Sequence, residues 1–110
     1  MGLDSYLEGH IYYAAETGHE RDGYRVCREH LSLGYWRKHH DLHDCIVEEI
    51  AEGVDDCEPL HLTAESLEFL AEGFGESDSK IAAAFQAALA WLKKPEERGV
   101  FKNVYYVASW

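Results

Sequence analysis

The C-terminal end of the chain constrains the fold most strongly. Residues 100–110 (VFKNVYYVASW) carry β-branched and aromatic side chains at both odd and even positions. A strand with one solvated face alternates apolar and polar residues, whereas a strand covered on both faces is apolar almost throughout. We therefore expect residues 100–110 to form a strand that is buried on both faces and that pairs with strands from elsewhere in the chain.

The N-terminal segment is the expected pairing partner. Residues 3–13 have the period of two that is typical of a half-buried strand. A polar, glycine-containing segment at 16–23 predicts a turn, and residues 24–31 predict a returning strand. We thus expect an N-terminal hairpin. The apolar face of its first strand holds Leu3, Leu7, Ile11 and Tyr13, and the other face holds Asp4, Glu8, His10 and Tyr12.

Three segments have helical periodicity. The first spans about residues 35–51, after Gly34 breaks the second strand, and Gly53 follows its end. Thr63 is the expected N-cap of the second helix, and Asp78 or Ser79 caps the third. The expected core-facing residues are Trp36, Leu42, Ile46 and Ile50, then Leu67, Leu70, Ala71 and Phe74, then Ile81, Phe85, Ala88, Leu89 and Leu92.

These elements predict one α+β domain over residues 1–110. A chain of 110 residues has room for a single core. The predicted architecture is a small antiparallel sheet, made of the N-terminal hairpin plus the C-terminal strand, packed against three helices.

The net charge of −11 is concentrated in the middle of the chain. Residues 1–38 hold five basic and six acidic side chains, and residues 80–110 hold five basic and two acidic ones. Residues 39–79 hold 13 carboxylates and no Lys or Arg. Direct binding of nucleic acid or of anionic membrane requires a basic face, so the composition argues against both.

The carboxylates of the first two predicted helices fall on one face of each helix. Like charges at i, i+4 destabilise a helix slightly, so this pattern does not serve helix stability. It is either a solvated face that confers solubility or a surface for a basic protein partner, such as one whose channel holds phosphates. The expected partner-binding residues are Asp41, Asp44, Glu48, Glu52, Asp55, Asp56, Glu65, Glu68 and Glu72.

His39 and His43 stand four residues apart on the first predicted helix, a spacing that suits a metal ion. The alternative is a histidine pair hydrogen-bonded within or at the edge of the core. The sequence holds no HExxH, no GxSxG and no glycine-rich phosphate loop. We therefore predict no catalytic residues and no cofactor, and we do not expect an enzyme.

Cysteine usage and the N-terminus bear on the compartment. Cys27, Cys45 and Cys57 form no CxxC pair, and an odd count does not complete a set of intramolecular disulfides. The N-terminal residues lack the basic start and apolar run of a signal peptide, and no apolar stretch approaches ~18 residues. We expect a cytoplasmic protein.

Four segments carry a resemblance to a known family. They are the start MGLDSYL, the sequence LGYWRKHHDLH at residues 33–43, the Asp55-Asp56-Cys57 loop and the ending YYVASW. Together they resemble a family of small bacteriophage and prophage proteins with no assigned activity, whose pattern is MGLDxYL, GYWRKxxxIHxW, an acidic loop with cysteine, and YYxSSW. The resemblance implies a viral or prophage origin, residence in the host cytoplasm, and one site shared by Asp4, Tyr6, Trp36, Arg37, His43 and Trp110.

Three functional hypotheses follow. The leading one is a small acidic binding protein of phage type that modulates or inhibits a basic host protein, such as a nucleic-acid-processing or defence factor. The alternative is a small-molecule or metal-binding domain, which could be enzymatic, with a pocket around His43, Asp4 and Arg37. The third is a homo-oligomeric structural protein, which an apolar patch on the exposed sheet face would indicate.

Overall fold

The computed structural model describes residues 2–53 and 58–109. The strands are β1 (Asp4–Tyr13), β2 (Glu20–Arg21), β3 (Tyr24–Arg25), β4 (Arg28–Arg37), β5 (Leu60–Leu62) and β6 (Val100–Ser109). The helices are α1 (His40–Glu49), α2 (Ala64–Gly73) and α3 (Ser79–Lys93), and a 3₁₀ turn covers Ala15–Thr17. Four strands form an antiparallel sheet in the order β4-β1-β6-β5, while β2 and β3 form a small hairpin. The predicted α+β fold is confirmed.

The N-terminal strand alternates as predicted. Ser5, Leu7 and Gly9 are buried, whereas the even-numbered residues of β1 are partly or fully exposed. The buried side faces a single hydrophobic cluster to which all three helices contribute. We call this side of the sheet the covered face, and the opposite side the open face.

The C-terminal strand is buried on one face only, so the expectation that both faces are buried is wrong. Val104, Tyr106 and Ala108 face the core, but the side chain of Phe101 on the other face is 55% exposed. The reason is that the helices share one side of the sheet, so the second set of aromatic residues packs against rings from neighbouring strands.

The second long strand continues through Gly34, which was expected to end it. β4 reaches Arg37, and α1 begins only at His40, so Trp36 lies on a strand and not on a helix. Its ring stacks on that of Phe85, with centroids 5.8 Å apart and an interplanar angle of 11°. A Cβ atom at Gly34 would lie 2.6 Å from the Trp36 ring. Glycine is needed there because the indole occupies that space.

The strand β5 was not predicted. It has three residues, pairs with β6 through Leu60, His61 and Leu62, and buries Leu62. Three residues are too few to show alternation. β1 pairs with one edge of β6, and the strand forms because the other edge of β6 is available for backbone hydrogen bonds.

The predicted starts of α2 and α3 are confirmed. Thr63 Oγ1 accepts a hydrogen bond from the Ser66 N–H, and Asp78 Oδ1 accepts from the N–H groups of Lys80 and Ile81. Among the described residues, no helix is long and apolar enough to cross a membrane.

Candidate functional site

Six of the nine carboxylates predicted to bind a partner lie on the outer surface of the first two helices. Glu52 follows the end of α1 in a left-handed conformation with φ of 55°. Asp55 and Asp56 lie outside the described residues. The remaining members are exposed, and with Glu52 we call them the acidic surface: Asp41, Asp44, Glu48, Glu52, Glu65, Glu68 and Glu72.

A groove of about 230 Å³ links the end of α1 to the first half of α2. The side chain of Phe69 in this groove is 47% exposed. We call it the Phe69 groove; its lining residues are Glu49, Ile50, Thr63, Glu65, Ser66 and Phe69.

Sequence reasoning missed Phe69 and Glu49 as site residues. Phe69 lies off the face of α2 that buries Leu67 and Leu70. A large aromatic residue outside the apolar stripe of a helix was the available signal. The position of Glu49 in the same groove as residues of α2 had no such signal, because it depends on how the two helices pack.

Burial and two neighbouring carboxylates affect the one cysteine on α1. Burial raises the pKa of the Cys45 thiol, and the negative charges of Glu49 and Glu48 raise it further. A thiol in such surroundings is a weak nucleophile at neutral pH, because the reactive species is the thiolate.

His43 belongs to a buried chain of polar groups. Its Nδ1 lies 2.8 Å from the Tyr106 hydroxyl, which lies 2.9 Å from the Ser5 hydroxyl. All three residues are buried. The chain connects α1 to β1 and β6, so the interpretation of His43 as a hydrogen-bonded core histidine is confirmed. Ser5 was a possible sequence signal, since it is a polar residue at an apolar position of β1.

His39 is the N-cap of α1. Its Nδ1 accepts a hydrogen bond from the Leu42 N–H, and its Nε2 lies 3.4 Å from Asp78 Oδ2. The Asp78 carboxylate has a lowered pKa because the Ile81 N–H donates to it, with His39 contributing. The two histidines thus have separate partners. Among residues 2–53 and 58–109, no group of three or more His, Cys, Asp or Glu side chains is arranged to hold a metal ion.

The pocket implied by the resemblance is divided between the two faces of the sheet. Asp4, Tyr6 and Arg37 belong to the open face. Asp4 and Arg37 are opposite each other in the register of β1 and β4. Trp36 and His43 are on the covered face. The prediction that these five residues share one site is wrong, because successive strand residues point to opposite faces. Trp110 lies outside the described residues.

Two open-face members of that set, Asp4 and Tyr6, contact Tyr35 instead. The Tyr35 hydroxyl donates a hydrogen bond to Asp4 Oδ1 over 3.0 Å, and this bond raises the pKa of Tyr35. The rings of Tyr6 and Tyr35 lie 5.1 Å apart between centroids.

A row of four rings crosses the open face, with one ring from each strand of the sheet. The imidazoles of His30 and His10 stack with centroids 4.0 Å apart and an interplanar angle of 7°. The Tyr105 ring lies 4.5 Å from His10 and 5.4 Å from His61. We call His30, His10, Tyr105 and His61 the ring row. The sequence did not reveal it, because the alignment depends on strand register.

A second set of side chains runs beside the ring row. The Arg28 guanidinium lies 5.9 Å from the centre of the Tyr12 ring, whose centroid is 6.0 Å from that of Phe101. A concavity of about 240 Å³ lies here, lined by His10, Ile11, Tyr12, Arg28, His30, Asn103 and Tyr105.

Comparisons of the chain with protein families, with curated proteins and with solved structures found no match.

Proposed function

We propose that this chain is a non-enzymatic binding protein that modulates or inhibits a basic host protein, such as a nucleic-acid-processing or defence factor. The observation that carries the proposal is the Phe69 groove. It combines an aromatic ring that is 47% exposed with the carboxylates Glu49 and Glu65. Residues 39–79, which include both helices, contain no Lys or Arg to neutralise them.

The acidic surface supplies steering and selectivity. Charges of one sign on a surface accelerate encounter with an oppositely charged partner and disfavour partners of the same sign. Because α1 and α2 hold their carboxylates in place, these side chains can occupy the positions that phosphates take in a basic channel. Exposed charges are screened beyond ~8 Å at physiological salt, so the effect on association falls as salt is raised.

Phe69 supplies affinity. Binding energy at protein interfaces concentrates in a few aromatic or arginine side chains that fill pockets, whereas charges at the rim contribute little. Complete burial of a phenylalanine side chain is worth roughly 1.5–3 kcal/mol. The partner therefore presents an apolar side chain next to Lys or Arg. The resemblance to bacteriophage proteins favours a host protein in this role.

The experiment compares two double variants that change the net charge equally. Glu49→Lys with Glu65→Lys alters the groove, and Glu16→Lys with Glu20→Lys alters exposed carboxylates near the β2–β3 hairpin. Each protein is used to capture host proteins, which are identified by mass spectrometry. The purified partner is then titrated at several salt concentrations.

We expect the groove variant to bind the partner at least about tenfold more weakly, which is about 1.4 kcal/mol. Phe69→Ser weakens binding while the salt dependence remains. The hairpin variant binds as the wild type does. Equal loss in both double variants indicates a general effect of charge and contradicts the proposal, as does undiminished binding by the groove variant.

A further inference from the structure

The open face of the sheet is covered by rings that pack against one another. Tyr12 is 44%, Tyr35 52% and Phe101 55% exposed, and each has a neighbouring ring on an adjacent strand. Exposed clusters of this kind mark interaction sites. Because the rings already hold one another, less side-chain freedom is lost when a partner buries them. All three helices pack on the opposite side of the sheet, so this face is separate from the acidic surface.

The charges of the open face are balanced. Among the Lys, Arg, Asp and Glu residues of β1, β4, β5 and β6, four belong to this face: Asp4 and Glu8 on β1, and Arg28 and Arg37 on β4. Residues 39–79, by contrast, hold 13 carboxylates and no Lys or Arg. Two copies of a chain with a net charge of −11 therefore repel each other least when they approach through the open face. Tyrosine, phenylalanine and arginine, which this face contains, are also enriched at protein interfaces.

The separation of the charges by strand makes the face complementary to a copy of itself. Both carboxylates are on β1, and both guanidinium groups are on the neighbouring β4. In a two-fold contact between identical subunits, each contact made by one copy is repeated by the other. A two-fold axis that is parallel to the strands and lies between β1 and β4 places β1 of each copy over β4 of the other. Asp4 and Arg37 are opposite each other in strand register, so the Asp4 carboxylate then faces the Arg37 guanidinium of the second copy.

The same arrangement repeats a contact that exists within the chain. Tyr12 and Arg28 are also opposite each other in register, and the Arg28 guanidinium lies 5.9 Å from the centre of the Tyr12 ring. In the dimer, each Arg28 meets the Tyr12 ring of the other copy, where the cation is attracted to the aromatic face. Aligned sheets pack about 10 Å apart and cross at about 30°. The long arginine side chains span the displacement of the strand ends that this angle produces.

We propose that the open face binds a second copy of this chain, with the two sheets packed face to face about a two-fold axis. The three long strands have ten residues each, so together they cover about 34 Å by about 14 Å, roughly 500 Å² in projection. A standard interface buries about 800 Å² of each partner. The area therefore predicts a weak dimer, with a dissociation constant in the micromolar range.

The test is sedimentation equilibrium from micromolar to millimolar protein, in which we expect a monomer–dimer equilibrium. Asp4→Arg and Arg37→Asp each place like charges across the contact, so each variant alone dimerises at least about tenfold more weakly. An equimolar mixture of the two variants restores dimerisation, because both contacts of the mixed dimer then join opposite charges. Mixing does not restore a loss of folding. The matched control is Lys80→Asp on the exposed surface of α3, which changes the net charge as Arg37→Asp does and leaves dimerisation unchanged.

Tyr12→Ala supplies a second test, because it removes an exposed ring from the contact without altering the charge. We expect it to weaken dimerisation at least about threefold. In the wild type, NMR detects contacts between the Tyr12 and Tyr35 rings of one copy and the open face of the other.

Several outcomes overturn the proposal. They are a monomer at millimolar concentration, a mixture of the two charge variants that remains monomeric, undiminished dimerisation by Tyr12→Ala, and an equal loss in the Lys80 variant. Contacts between copies that are confined to the backbone of β4 indicate pairing at the sheet edge and also overturn it. The groove variant Glu49→Lys with Glu65→Lys dimerises as the wild type does, so this contact and the protein-binding surface are tested independently.

Discussion

The two faces of the sheet use neighbouring tyrosines in opposite ways. On the covered face, Tyr106 is 3% exposed and its hydroxyl lies within hydrogen-bond distance of Ser5 and His43. On the open face, Tyr105 packs its ring against those of His10 and His61. A buried polar group requires hydrogen-bond partners, because an unpaired donor or acceptor in the core costs free energy. The covered-face tyrosine is therefore part of the core, whereas Tyr105 is half-buried among the rings of neighbouring strands.

The largest expected effect on stability comes from removing the Tyr106 hydroxyl on the covered face, and the control removes the Tyr105 hydroxyl on the open face. Tyr106→Phe breaks its contacts with Ser5 and His43 inside the core and lowers the free energy of unfolding by about 2 kcal/mol. Tyr105→Phe, the matched change on the open face, alters it by no more than about 0.5 kcal/mol. Urea denaturation measures both. Equal losses contradict the distinction between the faces.

A smaller effect is expected where the covered face meets the end of α3. Lys102 is on the covered face of β6, and its Nζ donates hydrogen bonds to the carbonyl oxygens of Trp91 and Lys94. Its side chain is 5% exposed. Lys102→Met keeps the apolar stem but removes these bonds at a helix C-terminus, so we expect a loss of about 1 kcal/mol. The control is Lys94→Met, since the Lys94 side chain is exposed. Thermal unfolding measures both variants, and an equal loss of stability in the two contradicts a stabilising role for the buried Lys102 ammonium.

The smallest expected effect concerns pH and the contact between α1 and α3. The pKa of Asp78 is lowered in the folded chain, chiefly by the Ile81 N–H and also by His39. A lowered folded-state pKa stabilises the fold above the unfolded value, near 3.8, and this contribution is lost as pH falls through the folded pKa. Asp78→Asn keeps a capping oxygen without the charge. Its stability should fall less steeply below about pH 4 than that of the wild type, as measured by denaturation at a series of pH values. Parallel curves contradict this role of the carboxylate.

Features that depend on a few neighbouring residues were predictable. The alternation of β1, the N-caps Thr63 and Asp78 and the buried stripes of α2 and α3 all follow from local periodicity and capping. Trp36 was assigned to the first helix together with Leu42, Ile46 and Ile50, although only the last three are spaced at the helical period. That period does not reveal pairing with β1, which decides the conformation of residues 35–37.

The candidate sites were predictable to a different extent. Exposure of the described acidic carboxylates follows from helix geometry. The implied pocket was wrong because Asp4 and Trp36, though both on the paired strands β1 and β4, face opposite sides of the sheet. The Phe69 groove and the ring row required the packing of helices and the register of strands, which no local pattern contains.

The sequence by itself determined an α+β domain, an excess of negative charge over residues 39–79, and strands with two ring-bearing faces. Each of these depends on composition or on interactions along a few residues. Only the tertiary structure decided which face the helices cover, and so which rings are buried and which are exposed. The physical reason is that all three helices bury their apolar stripes in one shared core. Strand pairing across about 100 residues of chain then aligns His30, His10, Tyr105 and His61 on the other face.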